Sequence, residues 1–190
     1  IRNIYDESEK MAILLENFLN DTTNENGLNS LNLKKENITN IIENCIKNSK
    51  DLAKKRNLSL SINIPRYLIF KVDKVKFEVI IRNLLSNAIK NTPPNGKICI
   101  ETQKYENYFD IIISDNGIGF TENEKKNIFK KFGKIKRDNK NFDIDTGGYG
   151  LGLYISKKIV QLHGGKIWVE SKGRNKGSSF IIRIPTNHSS

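Results

Sequence analysis

The sequence predicts a two-layer α/β sandwich, in which a mixed, mostly antiparallel sheet packs on helices. Three observations predict it. Leu58, Leu60, Ile62 and Ile64 alternate strictly and stop at Pro65, the pattern of a half-buried strand. Two later stretches, Lys97 to Gln103 with Tyr108 to Ser114 and Lys166 to Ser171 with Ser178 to Pro185, read as strand pairs joined by short polar connections. Between these strands, Phe77, Ile80, Ile81, Leu84, Leu85, Ala88 and Ile89 recur at helical spacing.

The elements follow in order. Ile4, Met11, Leu14, Leu15, Phe18 and Leu19 predict an amphipathic helix over residues 1–22, either packed on another helix of a bundle or folded onto the core. Residues 20–30 are a polar break. Leu31-Asn32-Leu33 alternates briefly like a strand. Ile38, Ile41, Ile42, Cys45, Ile46 and Leu52 mark a helix to about Arg56. After the Leu58–Ile64 strand, Leu68 to Val72 is another, and Asp73 is placed to cap the long helix behind it. Pro93-Pro94-Asn95-Gly96 is a turn. Thr121 to Phe129 is a short helix, and residues 133–147 are a polar, mobile loop. Leu151 to His163 is a helix closed by Gly164-Gly165, which puts His163 beside the negative end of its dipole.

Composition narrows the function classes. Lys and Arg total 32 against 21 Asp and Glu, a formal charge of +11. The basic residues are scattered over helices and loops rather than gathered with stacking aromatics, so nucleic acid is not the expected partner. The excess charge reads chiefly as a solvated lysine-rich surface, with a contribution from attraction to an anionic nucleotide. Cys45 and Cys99 show neither disulfide-framework nor zinc-site spacing, which fits a reducing, cytoplasmic compartment. No apolar run approaches 18 residues, and no signal peptide is present. The chain opens at Ile1 rather than Met, which reads as part of a longer protein.

The chemistry lies in three segments. Gly148, Gly150 and Gly152 alternate directly ahead of a helix, whose N-terminal N–H groups and dipole suit phosphate. The spacing is neither that of a P-loop nor that of a dinucleotide fingerprint. Asn83, Asn87 and Lys90 fall at i, i+4 and i+7, so they share one helix face. Two amides and an ammonium suit hydrated Mg²⁺ and phosphates, although such a stripe taken alone is equally a solvated face. Asp115-Asn116-Gly117-Ile118-Gly119 follows an apolar strand. Its carboxylate can accept from an adenine amino group, and the bland alternative is a simple turn.

Taken in order, Asn-x-x-x-Asn-x-x-Lys, Asp-x-Gly-x-Gly, Phe-x-x-Phe and Gly-x-Gly-x-Gly resemble the catalytic ATP-binding domain of sensor histidine kinases. That domain belongs to the superfamily shared with gyrase, the ninety-kilodalton heat-shock chaperone and the mismatch-repair protein MutL. The resemblance covers residues 28–186 and implies the Bergerat-type ATP-binding fold. It implies ATP and Mg²⁺ as cofactors, with Asn87 on the metal and Asn83 and Lys90 near the phosphates. Asp115 would read the adenine, in a pocket shaped by Gly117, Ile118 and Gly119. Phe129 and Phe132 would flank a nucleotide lid over about residues 131–147, with Lys131 near the γ-phosphate. Gly148, Tyr149, Gly150, Leu151 and Gly152 would hinge the lid and meet the phosphates. Lys176-Gly177-Ser178 resembles the last motif and adds Ser178 to the pocket. Residues 1–27 resemble the second helix of the dimerisation and histidine-phosphotransfer hairpin with its linker, and 187–190 are a tail.

Three residues depart from the family pattern. Asn91 stands where an aromatic often lines the adenine site, Gly133 replaces an aromatic, and Lys131 replaces an arginine, losing bidentate geometry. No histidine stands in a phosphoacceptor context. The implied function is a protein-histidine kinase of a two-component system. Its partners would be ATP or ADP, an acceptor-histidine helix in cis or trans, and a response-regulator receiver domain. The whole protein would be a homodimer, with room for a membrane anchor. A hydrolytic ATPase clamp of the same superfamily is the alternative, but its water-activating glutamate is replaced by Asn83, which cannot act as a base. A nucleotide-sensing module without kinase activity is the third reading.

Overall fold

The computed structural model describes residues 31–133 and 150–186. The expected N-terminal helix, Gly148, Tyr149, His188 and nearly all of the proposed lid lie outside the described residues.

Strand β1 (Lys34–Asn37) leads directly into helix α1 (Ile38–Lys55). The Asn37 side chain accepts from Thr39 N–H at 3.1 Å and caps α1. Pairing starts later than the Leu31–Leu33 alternation predicts, because Asn32 N–H is taken by the Asp73 carboxylate at 3.1 Å before the ladder begins. Helix α1 buries Ile38, Ile41, Ile42, Cys45, Ile46 and Ala53 along one stripe.

Strands β2 (Ser59–Asn63) and β3 (Ile69–Val72) follow, then helix α2 (Lys74–Asn91). Strand β2 pairs in parallel with β4 (Lys97–Lys104). Parallel neighbours require a crossover. The β3–α2 segment provides it, so β3 leaves the main sheet and pairs antiparallel with β1. The structure therefore has two sheets where the sequence reading has one. As an edge strand β2 leaves Ile62 44% exposed, more than a half-buried alternation implies.

Strand β5 (Tyr108–Asp115), helix α3 (Glu122–Asn127), helix α4 (Gly152–Leu162), and strands β6 (Lys166–Glu170) and β7 (Ser178–Pro185) complete the domain. The main sheet runs β2-β4-β5-β7-β6, antiparallel throughout except β2–β4. Its inner face aligns Ile100 with Ile113 and Phe180, and Ile111 with Ile182. These side chains are buried with Phe77, Ile80, Ile81, Leu84 and Leu85 of α2 and Ile155 and Ile159 of α4. The outer face carries a different cluster. Arg183 holds Asp110 through two bonds at 2.8 and 2.7 Å, and its guanidinium lies 3.9 Å from the Tyr108 ring centroid.

Helix α3 begins with a capping box, Thr121 and Glu124 each bonding the other's backbone. No helix of the described residues is long and apolar enough to cross a membrane.

Candidate nucleotide site

The register of β5 with β7 places Asp115 opposite Ser178. The carboxylate is nearly buried and holds two donors. Oδ1 accepts from Gly117 N–H at 2.8 Å, and Oδ2 accepts from the Ser178 hydroxyl at 2.6 Å. An ionised carboxylate has about four lone-pair positions, so it retains capacity for a further donor such as an exocyclic amino group.

The Asp115 loop is strapped down from both sides. Ile118 N–H donates to Asn91 C=O at 3.1 Å, joining the loop to the end of α2. Gly177 N–H donates to Gly117 C=O and Asn175 N–H to Ile118 C=O, each at 2.9 Å. The Ser171 hydroxyl accepts from Phe120 N–H at 3.0 Å and lies 2.7 Å from Gly177 C=O. Arg174 also reaches from this strap to Glu124 of α3. Gly119 has φ +61°, and a Cβ there would lie 2.2 Å from Gly173 C=O. Its glycine requirement thus comes from the chain's own backbone as well as from room for a base. The sequence reading missed this 171–177 strap, since a polar Gly/Ser/Asn run reads only as a turn.

The polar face of α2 is assembled as its spacing implies, but its side chains are not simply solvated. Asn83 Nδ2 donates to Gly152 C=O at 3.1 Å and lies 3.2 Å from Ser156 Oγ. Its amide nitrogen therefore holds the first turn of α4 against α2. Asn87 Oδ1 accepts from Asn91 Nδ2 at 2.8 Å. The other end of that amide, Asn87 Nδ2, is buried without a hydrogen-bond partner. Lys90 is half-buried in the last turn of α2 and makes no ion pair among the described residues. Leu151 precedes α4 as its N-cap and makes no side-chain capping bond, so the cap itself supplies no acceptor to the first-turn N–H groups.

The remaining predicted residues divide. Ile118 and Leu151 are buried, 4% and 6% exposed. Phe129 is half-buried and meets Phe180 edge-on at 6.3 Å, which anchors it to the core. Phe132 is 57% exposed, and the ammonium of Lys131, itself exposed, lies 5.4 Å from its ring centroid. Gly150 takes φ +70°, and a Cβ there would sit 2.9 Å from the Phe132 carbonyl carbon. The described residues on either side of 134–149 therefore meet.

Helices α2 and α4 are tied at a second point. His163 is fully buried, accepts from Asp73 N–H through Nε2 at 3.1 Å, and has Nδ1 2.9 Å from Ile159 C=O. That pattern requires a neutral imidazole with its proton on Nδ1. His163 stands at the helix end where the sequence places it, with Nδ1 on a last-turn carbonyl, and the structure adds that it is a buried bridge between helices. Asp73 caps α2 by accepting from Lys76 N–H at 3.1 Å. Burial pushes its carboxyl up, but bonds from the Lys76 N–H and ammonium and from Asn32 N–H outweigh burial and hold it below the usual range.

The donor set fits a nucleotide: the buried Asn87 N–H without a partner suits a phosphate oxygen, the start of α4 has no side-chain cap, and a paired carboxylate can accept from a base. A metal would be held by the oxygen end of the same Asn87 amide, which here accepts from Asn91.

Known proteins resemble this chain in sequence and in fold. The adaptive-response sensory kinase SasA of Synechocystis sp. is 38% identical over 138 residues, covering 69% of this chain and 33% of that protein. The catalytic domain of histidine kinase ThkA superposes with a TM-score of 0.70 at 26% identity, covering 83% of this chain and 99% of that one. Histidine kinase ThkA in complex with the response regulator TrrA gives 0.74 at 25% identity, covering 98% of this chain and 50% of that one. The chain spans 33%, 24% and 14% of the lengths of the first curated relatives it matches. Residues 72–188 match the family described as histidine kinase-, DNA gyrase B- and HSP90-like ATPases, and the chain belongs to that family.

Proposed function

We propose that this chain is the ATP-binding catalytic part of a two-component sensor histidine kinase, passing the γ-phosphoryl group of ATP to a histidine outside residues 1–190. The observation that carries transfer over hydrolysis is Asn83. Its amide nitrogen is spent on Gly152 and Ser156, and an amide has no lone pair basic enough to activate water. Asp115, with Ser178 beside it, accepts from the adenine amino group. Asn87 would hold Mg²⁺, which shields the phosphate charge when bound. Lys90 adds a cation near the phosphates, and the backbone N–H groups of the first turn of α4, from Gly152, donate to them. Lys131, Phe132 and Gly150 stand at the two ends of the segment proposed to close over the nucleotide, which includes Gly148 and Tyr149.

The chain's contribution is positioning and electrostatics. An acceptor imidazole nitrogen forms a bond to the γ-phosphorus as the bond to the β,γ-bridging oxygen breaks. ADP leaves, and the phosphoryl group is then available to a receiver domain. Residues 1–27 would belong to the dimerisation and phosphotransfer hairpin of a homodimer.

Incubation with γ-labelled ATP and a separately supplied acceptor-histidine hairpin tests the proposal. Acid-labile, base-stable label on the hairpin supports transfer. Steady release of inorganic phosphate without labelled histidine would mark a hydrolytic clamp instead.

A further inference from the structure

We propose that Asn91 is a positioning residue that holds the Asn87 amide by a hydrogen bond in either orientation, so that its oxygen or its amino end can face the nucleotide. This rests on the reading of Asn87 as the residue facing the metal, and it assigns a role to a position where the chain departs from the family pattern.

The two asparagines stand one turn apart at the C-terminal end of α2, and Asn91 is its last residue. Asn91 Nδ2 donates to Asn87 Oδ1 at 2.8 Å. The Asn91 backbone is itself fixed, since its carbonyl accepts from Ile118 N–H of the Asp115 loop at 3.1 Å. The Asn91 side chain thus works from an anchored position between the α2 face and the base-reading loop. The consequence falls on Asn87. Its oxygen is engaged, and its amino group is buried with no partner.

An amide offers a donor at one end and an acceptor at the other. In the orientation seen, the unsatisfied end is N–H, which suits a phosphate oxygen and repels a cation. If both amides turn over together, the bond between them is kept with its polarity reversed, Asn87 Nδ2 donating to Asn91 Oδ1. The unsatisfied end of Asn87 is then its carbonyl oxygen, the atom a hard cation takes. Only a side chain that can both donate and accept at position 91 supports both orientations. A phenylalanine or an aliphatic residue there supports neither. Asn91 therefore acts on the metal through Asn87, as outer hydrogen bonds orient metal ligands generally.

The test is calorimetric. Affinity for ADP and for a non-hydrolysable ATP analogue is measured in Mg²⁺ and in EDTA, for wild type, Asn91→Leu, Asn87→Ala and the double variant. Asn91→Leu should lower the Mg²⁺ enhancement of affinity roughly tenfold while leaving affinity in EDTA within about twofold. Asn87→Ala should abolish the enhancement, and adding Asn91→Leu to it should change nothing further. Equal loss in Mg²⁺ and EDTA would assign Asn91 to base packing and overturn the proposal, as would an unchanged enhancement. If Asn91→Leu fails to fold, Asn91→Asp serves. Its carboxylate only accepts, so it fixes the Asn87 oxygen outward and should keep the enhancement at or above the wild-type level; loss of it there overturns the proposal. Wild-type binding without any Mg²⁺ enhancement overturns this inference and leaves nucleotide binding standing. No wild-type binding at all overturns the proposed function with it.

Discussion

Asp115 binds Gly117 N–H and the Ser178 hydroxyl, and its carboxylate is proposed to accept from the adenine amino group as well. A hydrogen bond to a charged group contributes about 1.5–3 kcal/mol. Asp115→Ala should therefore weaken ATP and ADP binding roughly ten- to a hundredfold without unfolding the domain. Ser178→Ala leaves the carboxylate in place and should cost less. Titration calorimetry on the folded variants decides this, and unchanged affinity in Asp115→Ala would remove the assignment. A second residue-scale prediction concerns Cys45. Burial, reinforced by Glu78 and opposed by Arg82, pushes its thiol up to about 11. The thiol is protonated at neutral pH, so alkylation of Cys45 should be slow in the native protein and should appear on adding denaturant. Mass spectrometry after timed iodoacetamide treatment reads this directly, and fast native labelling of Cys45 contradicts it.

At the scale of elements, the paired helices α2 and α4 govern the site. Asn83 meets Gly152 and Ser156 at one end of their contact, and Asp73 meets His163 at the other. The two spans agree. At 1.5 Å rise per residue, Asp73 to Asn83 and Gly152 to His163 both cover roughly 15 Å, as antiparallel neighbours must. In a capping box, a Glu at the third helical position would satisfy the N-cap N–H. Here that position is Lys76, and His163 supplies the acceptor from 90 residues away. His163→Ala leaves a buried N–H unpaired and a void, which should cost about 2–4 kcal/mol in denaturant unfolding. A cost below the scatter of surface substitutions would show the bridge to be dispensable. Asp73 has an acid signature. Its folded-state carboxyl lies below the ordinary value, so its contribution is fully present above about pH 4, the unfolded value, and is lost as pH falls through the folded one. Asp73→Asn keeps a cap acceptor and should lose less stability at pH 7 than Asp73→Ala, whose lost cap costs about 1 kcal/mol. The gap between Asp73→Asn and wild type should narrow as pH falls below the ordinary carboxylate value and through the lowered folded one, which chemical unfolding at several pH values would test.

At the scale of the whole molecule, the +11 charge and the sheet-on-helix layers frame a nucleotide site with no accessible acceptor histidine among the described residues. His163 is 0% exposed and both of its ring nitrogens are engaged, so it cannot take a phosphoryl group without unfolding. Residues 1–190 alone should bind ATP and remain unlabelled by γ-labelled ATP, while an added acceptor hairpin becomes labelled. Robust labelling of the chain by itself, mapped by proteolysis, would show the acceptor to lie within it.

The fold class, strand pairs, α2 face and Asp115–Gly119 loop were legible in the sequence because each rests on local periodicity or on a short motif. Strict alternation marks strands, a 3.6-residue recurrence marks α2, and i, i+4, i+7 spacing puts Asn83, Asn87 and Lys90 together whatever surrounds them. Tertiary structure alone decided what those side chains touch. The removal of β3 to a second sheet follows from the parallel β2–β4 pair, a contact between distant segments. The Ser171–Gly177 strap over the Asp115 loop, the commitment of Asn83 to α4 and the burial of His163 against Asp73 all join residues 50 to 90 positions apart. Even the Asn87–Asn91 bond, local in sequence, matters only because packing buries the other end of the Asn87 amide. Spacing fixes which face a side chain shares. Which polar atom is left without a partner depends on the packing around that face.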